Sequence, residues 1–215
     1  MSARAPGRFI TLEGGEGAGK STQARRLVTQ LESRGIASIL TREPGGSAGA
    51  EEVRKLLVAG APDRWDPLTE TLLMFAARAD HVAKTIRPAL DARRWVVCDR
   101  FTDSTYAYQG AGRGVPRETI RRIESLVLDD FKPDLTLILD LPVEAGLERT
   151  RARKPGAHEN RFEKFDRQFH ERLREAFLAL ARRAPDRCTV IEAADDEDTV
   201  ADEVWSIVRK RFRIR

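Results

Sequence analysis

Cysteine is scarce in this chain. Cys98 and Cys188 are the only two in 215 residues. They stand far apart without Cys-x-x-Cys spacing, so they read as reduced thiols in strands rather than a disulfide or metal framework. Histidine is equally sparse: His81, His158 and His170 have no metal-ligand spacing among them and read as structural or solvent-exposed. No stretch approaches the roughly 20 apolar residues of a membrane helix, and Met1–Arg8 lacks the apolar core of a signal peptide. No membrane partner is expected, and the expected location is cytoplasmic. Blocks of like charge are also missing. Lys and Arg total 38 against 34 Asp and Glu, and the net charge of +4 is spread along the chain. Nucleic acid is therefore not an expected partner.

What is present is alternation. Short apolar runs at Phe9–Leu12, Ala37–Leu40, Trp95–Cys98, Leu135–Leu139 and Cys188–Ile191 predict strands. Helical stretches separate them: Ser21–Arg34, Ala50–Leu57, Leu68–Ala92, Arg117–Leu128, Val143–Arg153, Arg161–Arg183 and Thr199–Arg211. Continuously apolar strands suit a parallel sheet covered on both faces. The expected fold is α/β, a doubly wound parallel sheet of five strands in one domain spanning residues 1–215. In such sheets ligands bind beyond the carboxyl ends of the strands. Three connections there look unusual: Thr41–Gly46, the long loop Asp99–Gly114, and Lys154–Asn160.

The first strand runs into Gly14-Gly15-Glu16-Gly17-Ala18-Gly19-Lys20-Ser21-Thr22, in which Gly14, Gly19, Lys20 and Ser21 fit G-x-x-x-x-G-K-[ST]. A triphosphate needs many donors at close range, and backbone N–H groups can crowd it only where side chains are absent. The following helix adds free N–H groups and its positive dipole end. Lys20 contributes a point charge toward the β- and γ-phosphates, and Ser21 can ligand Mg²⁺. A nucleotide is the expected ligand of this loop, with Mg²⁺ as cofactor. A second Mg²⁺ ligand should be a carboxylate at a neighbouring strand end. Asp99 is preferred to Asp140, because helix capping accounts for Asp140, which precedes Leu141-Pro142-Val143.

Beyond the phosphate loop, Asp99-Arg100-Phe101 followed by Ser104-Thr105-Tyr106-Ala107-Tyr108-Gln109 resembles the thymidylate kinase signature Asp-Arg-[Tyr/His/Phe]-x-x-Ser-x-x-Ala-Tyr-Gln. Thr41-Arg42-Glu43-Pro44-Gly45-Gly46, Leu73–His81 and Pro133–Asp140 are similar to motifs of the same bacterial family, in order and at family spacing. The resemblance implies a P-loop NTPase-type fold with a short lid, at about residues 149–161, and transfer of the γ-phosphoryl group of ATP to dTMP. It implies that Phe75 stacks on thymine and Arg78 bonds a base carbonyl, although spacing alone would make Phe75 a core residue. Thr105 falls where the family bonds thymine N3, and Gln109 where it lines the base pocket. Tyr108 would crowd the sugar 2′ position, Glu16 would contact the 3′-hydroxyl, and Arg100 the acceptor phosphate. Arg42 and Arg54 are weaker candidates for that phosphate, and either could be a surface ion-pair partner. Ala77 stands where several relatives have serine. Family members are homodimers, so a homodimer is expected. Another nucleoside monophosphate kinase, or a nucleotide-dependent switch protein, is the rival reading.

Some thymidylate kinases carry an arginine in the phosphate loop just after the acidic residue. Here that position is Gly17, so catalytic charge must come from elsewhere. Glu148-Arg149-Thr150-Arg151-Ala152-Arg153, with Arg161 further on, resembles the family's lid segment. Arg149 and Arg153 share a helical face. Arg153 is the expected arginine finger, and Arg151 reads as solvated.

Overall fold

In the computed structural model, which describes residues 6–152 and 161–214, strand β1 (Phe9–Glu13) is buried along its whole length. It lies at the centre of a five-stranded, all-parallel sheet with strand order β2-β3-β1-β4-β5. The partners are β2 (Ser38–Arg42), β3 (Trp95–Asp99), β4 (Leu135–Asp140) and β5 (Cys188–Glu192). The three inner strands are covered on both faces, as their apolar runs predict. The edge strands differ: they alternate between buried and open positions, and Leu40 and Val190 are exposed. Register pairs Leu12 with Asp99 and Asp99 with Arg42. The carboxyl ends of β1, β2 and β3 therefore lie side by side, with the glycine-rich loop leaving from the middle.

Strand alternation sends side chains to two cores. Ile10 and Leu12 join Val97, Leu137 and Leu139 under α1 (Lys20–Glu32) and α9 (Glu197–Phe212), which supply Leu27, Leu31, Val204 and Val208. On the other face, Phe9, Val96 and Cys98 pack with Phe101 and Leu128, the last from α6 (Arg117–Leu128). Ile138 meets Phe169, Leu173 and Phe177 of α8 (Arg167–Arg183). Among the described residues no helix is long and apolar enough to cross a membrane.

Three expectations are corrected. The stretch 68–92 is not one α-helix: α3 (Pro67–His81) gives way to a π-helical turn at Val82–Ile86 and then α4 (Arg87–Asp91). Pro88 explains the change, since its ring removes one N–H and crowds the carbonyl a turn earlier, and the helix widens to accommodate it. Asp99–Gly114 is not an irregular loop either. It forms α5 (Thr102–Thr105) and a π-helical stretch at Tyr106–Gly112, held by Ala107 and Tyr108 packing on α8. Finally, α8 starts only at Arg167, because Asp166 caps it by accepting from the Phe169 N–H at 2.7 Å. The remaining helices are α2 (Ala48–Val58) and α7 (Val143–Arg151).

Candidate active site

A cleft of about 610 Å³ opens beyond the carboxyl ends of β1, β2 and β3. The glycine-rich loop forms its floor. Two of its glycines are demanded by close approach: a Cβ on Gly14 (φ +131°) would lie 2.4 Å from the Leu139 carbonyl oxygen. A Cβ on Gly17 (φ +71°) would lie 2.1 Å from that of Gly146 in α7. Any side chain at these positions would push the loop off the sheet. Lys20 opens α1, and its Nζ donates to the Gly15 carbonyl at 2.6 Å, inside the loop where phosphates would sit. Burial, reinforced by nearby Arg100, lowers the Lys20 ammonium to about 8 against the pull of Glu16, Asp99 and Glu13.

Beside it, the Ser21 hydroxyl donates to Asp99 Oδ2, while Asp99 Oδ1 is buried with no hydrogen-bond partner among the described residues. A hydroxyl and a carboxylate with an unused oxygen suit Mg²⁺, which takes one or two protein oxygens plus water and phosphate. That is why no cluster of three or more His, Cys, Asp or Glu is needed here, and among the described residues none is present. Asp140, the rejected alternative, does not cap α7. It accepts from Arg174 Nε and Nη2 at 2.7 and 2.8 Å, and no side chain caps the helix.

Glu16 and Arg100 meet across the cleft. Glu16 Oε1 accepts from Arg100 Nη2 at 3.1 Å and from the Tyr108 hydroxyl at 2.7 Å. Burial would raise this carboxyl, but Arg100 and Lys20 outweigh it and bring it to about 2. A solvated filler is thereby excluded for Glu16. Arg100 adopts a left-handed backbone (φ +72°), and its Nη1 donates to the Gly14 carbonyl and the Ser104 hydroxyl. Glu13 fixes this corner by accepting from the Phe101 N–H at 2.7 Å and the Ser104 hydroxyl at 2.5 Å. Burial and the neighbouring Asp103 raise the Glu13 carboxyl to about 8.

On the opposite wall, Arg78 of α3 is 2% exposed. Its Nε donates to Glu43 Oε2 at 2.6 Å and its Nη2 to the Phe101 carbonyl at 3.2 Å, but Nη1 has no partner among the described residues. Glu43 is held in turn by His81 Nδ1 at 3.0 Å, and His81 Nε2 meets the Thr41 hydroxyl at 2.7 Å. Phe75 is 1% exposed, packed on Val115 and Ile120 with the Arg78 guanidinium 4.8 Å from its ring centre; Met74, not Phe75, lines the cleft. Thr105 and Gln109 are buried on the same wall. Arg42 and Arg54 stand at the rim: Arg42 pairs with Glu51 at 3.2 Å, and Arg54 donates to the Pro44 carbonyl at 2.6 Å.

The lid arginines separate. Arg149 turns away, donating to the carbonyls of Ala193 and Ala194 at 3.0 and 3.3 Å. Arg151, expected to be merely solvated, lines the cleft. Arg153 and the break at 154–160, with His158, lie outside the described residues. Arg161, expected in the lid, is instead fully buried: it pairs with Glu70 and donates to the carbonyls of Ala61, Pro62 and Leu57. A buried guanidinium needs this many acceptors, so Arg161 serves structure at this point.

Sequence reasoning missed Glu13, Glu43, Glu70, Ser104 and Arg113, all of which hold site residues in place. Glu43 was within reach, because it sits inside the quoted Thr-Arg-Glu-Pro-Gly-Gly motif. His81 is structural, and so is His170, which is 4% exposed.

A parallel sheet in this order, with a Walker A loop leaving its central strand and the β3 carboxylate Asp99 beside the loop serine, is the fold of a P-loop kinase. The family model described as thymidylate kinase matches residues 12–204. A thymidylate kinase from Caulobacter vibrioides is 55% identical over 206 residues, covering 96% of this chain and 98% of the relative. One from Bradyrhizobium diazoefficiens is 50% identical, covering 96% and 90%. The crystal structure of thymidylate kinase from Ehrlichia chaffeensis superposes with a TM-score of 0.75 at 34% identity, covering 95% of this chain and 99% of that one. The chain belongs to the thymidylate kinase family.

Proposed function

We propose that this protein transfers the γ-phosphoryl group of ATP to dTMP, giving ADP and dTDP for dTTP synthesis. The observation that carries the acceptor assignment is Arg78 Nη1, a buried donor on a cleft-lining residue with no partner among the described residues. A base carbonyl satisfies it, and a donor left without an acceptor costs roughly 1–3 kcal/mol. Phe75 acts from behind, its ring centre 4.8 Å from the Arg78 guanidinium that faces the base. Thr105 and Gln109 border the base, Tyr108 crowds the sugar 2′ position, and Glu16 meets the 3′-hydroxyl. Arg100 binds the acceptor phosphate, with Arg42 and Arg54 at the rim.

Transfer is in line, with no covalent enzyme intermediate. Residues 14–22 cradle the donor phosphates, and Lys20 leaves the Gly15 carbonyl for a phosphate oxygen. Ser21 and Asp99 would hold Mg²⁺, which when bound neutralises phosphate charge. Positive charge on the transferring group comes from Arg153 in a lid at about 149–161. The crowding of Gly17 against Gly146 supports this, since it leaves no space for a loop arginine. The engagement of Arg149 and Arg161 elsewhere supports it too. Residues 1–215 act as one domain in the cytoplasm, without a nucleic-acid partner.

A coupled ADP-release assay tests the reaction with dTMP, UMP, dUMP, dCMP, AMP and GMP as acceptors. ADP release should require Mg²⁺ and be greatest with dTMP; preference for a purine monophosphate would sink the assignment. The protein also acts as a homodimer in this reading. The exposed Leu68 and Leu72 of α3, and Leu126 of α6 packed against it, support a covered apolar face. Light scattering should give twice the chain mass for the wild type and a monomer for Leu72→Glu; a monomeric wild type refutes the dimer.

A further inference from the structure

Glu70 of α3 is completely buried. It lies behind the cleft wall and touches no part of the phosphate machinery. One of its oxygens, Oε2, takes two guanidinium groups: Arg113 Nη1 at 2.6 Å and Arg161 Nη1. Both arginines are themselves fixed, Arg113 by the Trp65 carbonyl at 2.7 Å and Arg161 by the carbonyls of Leu57, Ala61 and Pro62. The carboxylate therefore cannot rotate. Its other oxygen, Oε1, has one hydrogen-bond partner among the described residues, Gln109 Nε2 at 2.8 Å.

This arrangement settles which end of the Gln109 amide reaches the cleft. A carboxylate between two guanidinium groups offers lone pairs only, so the amide must turn its N–H₂ toward it. Gln109 Oε1 takes no protein hydrogen bond among the described residues and is the end left for a ligand on the cleft wall. Arg78, which lines the same cleft, has at Nη1 a group that can only donate. Beside the Thr105 hydroxyl, which can donate or accept, the wall thus presents one fixed acceptor and one fixed donor. Thymine and uracil show a matching imide edge, with N3–H beside a carbonyl. Cytosine shows the reverse, a bare N3 beside an amine, and meets lone pair with lone pair and donor with donor.

We propose that Glu70 is a positioning residue that sets base specificity, by holding Gln109 so that the pocket accepts an imide pyrimidine and rejects an aminopyrimidine. The proposal rests on the dTMP reading above and adds to it a residue that no substrate touches. It differs from a packing role in what it predicts, because dTMP and dUMP share the same hydrogen-bonding edge and dCMP does not.

The test is kcat/KM for dTMP, dUMP and dCMP in wild type, Glu70→Gln, Gln109→Ala and the double variant. In Glu70→Gln the new amide can donate to Gln109 Oε1, which frees Gln109 to turn its N–H₂ into the cleft. The dTMP:dCMP ratio should fall about tenfold or more, since a site that has lost its defined polarity loses its power to reject the wrong edge. The dTMP:dUMP ratio and the KM for ATP should stay within about twofold. In the Gln109→Ala background, Glu70→Gln should leave the dTMP:dCMP ratio unmoved, as required of a residue acting through Gln109. An unchanged ratio in the single variant, an equal fall of both ratios, or a further fall in the double variant overturns the proposal. If Glu70→Gln does not fold, Gln109→Asn carries the test, because its shorter side chain cannot reach Glu70 from the cleft wall. The same selective fall is then expected, and a preserved ratio overturns the proposal. A wild type that ignores dTMP would instead remove the function on which the proposal rests, so the two failures are distinguishable.

Discussion

Arg153→Ala is expected to lower kcat by about a thousandfold, the scale of an arginine finger in phosphoryl transfer, while KM for dTMP moves by no more than about twofold. The physical basis is repulsion. Two phosphorylated nucleotides must meet, and the charge that develops on the transferring group needs a cation placed there in advance. The phosphate loop supplies Lys20 but has glycine at position 17. Among the lid arginines, Arg149 is held by the carbonyls of Ala193 and Ala194, and Arg161 is buried on Glu70. Arg151 reaches the cleft edge and is the internal control. Steady-state kinetics on Arg149→Ala, Arg151→Ala and Arg153→Ala rank them. If Arg151→Ala or Arg149→Ala costs more turnover than Arg153→Ala, the finger is misassigned.

The second large effect concerns stability. Gly17→Ala should destabilise the protein by ~2–5 kcal/mol, combining a left-handed backbone with an overpacked contact. For a domain of this size that lowers Tm by roughly 5–15 °C. The cause is steric: the new Cβ would sit 2.1 Å from the Gly146 carbonyl oxygen, which belongs to helix backbone and cannot rotate away. The contact is mutual, since a Cβ on Gly146 would lie 2.4 Å from the Glu16 carbonyl oxygen. Thermal unfolding monitored by circular dichroism measures the effect. A Tm within about 2 °C of wild type would show that α7 yields at little cost. The same crowding bars a loop arginine at position 17 unless α7 first withdraws.

Legibility in the sequence followed the range of the forces involved. The inner strands were readable because burial on both faces leaves an unbroken apolar run, and the phosphate loop because its demands are local. The stretch from Asp99 to Gly112 was not readable as helix. Its Ser, Thr, Tyr and Gly residues carry no apolar period, and packing on α8 imposes the winding. Pro88 hid a wider turn because its effect falls one turn earlier. Charged side chains read as surface by default, so the buried set of Glu70, Arg113 and Arg161 could not be seen before the fold joined α3 to residues far along the chain. Met74 and Phe75 differ by one position on a helix, a phase that motif matching does not resolve.

Arg161 also serves as an anchor. Its four hydrogen-bond and ion-pair partners, Leu57, Ala61, Pro62 and Glu70, pin the chain at Arg161 next to the wall that reads the base. The base-reading wall is thereby anchored independently of the phosphate loop, through contacts that no phosphate-binding residue shares.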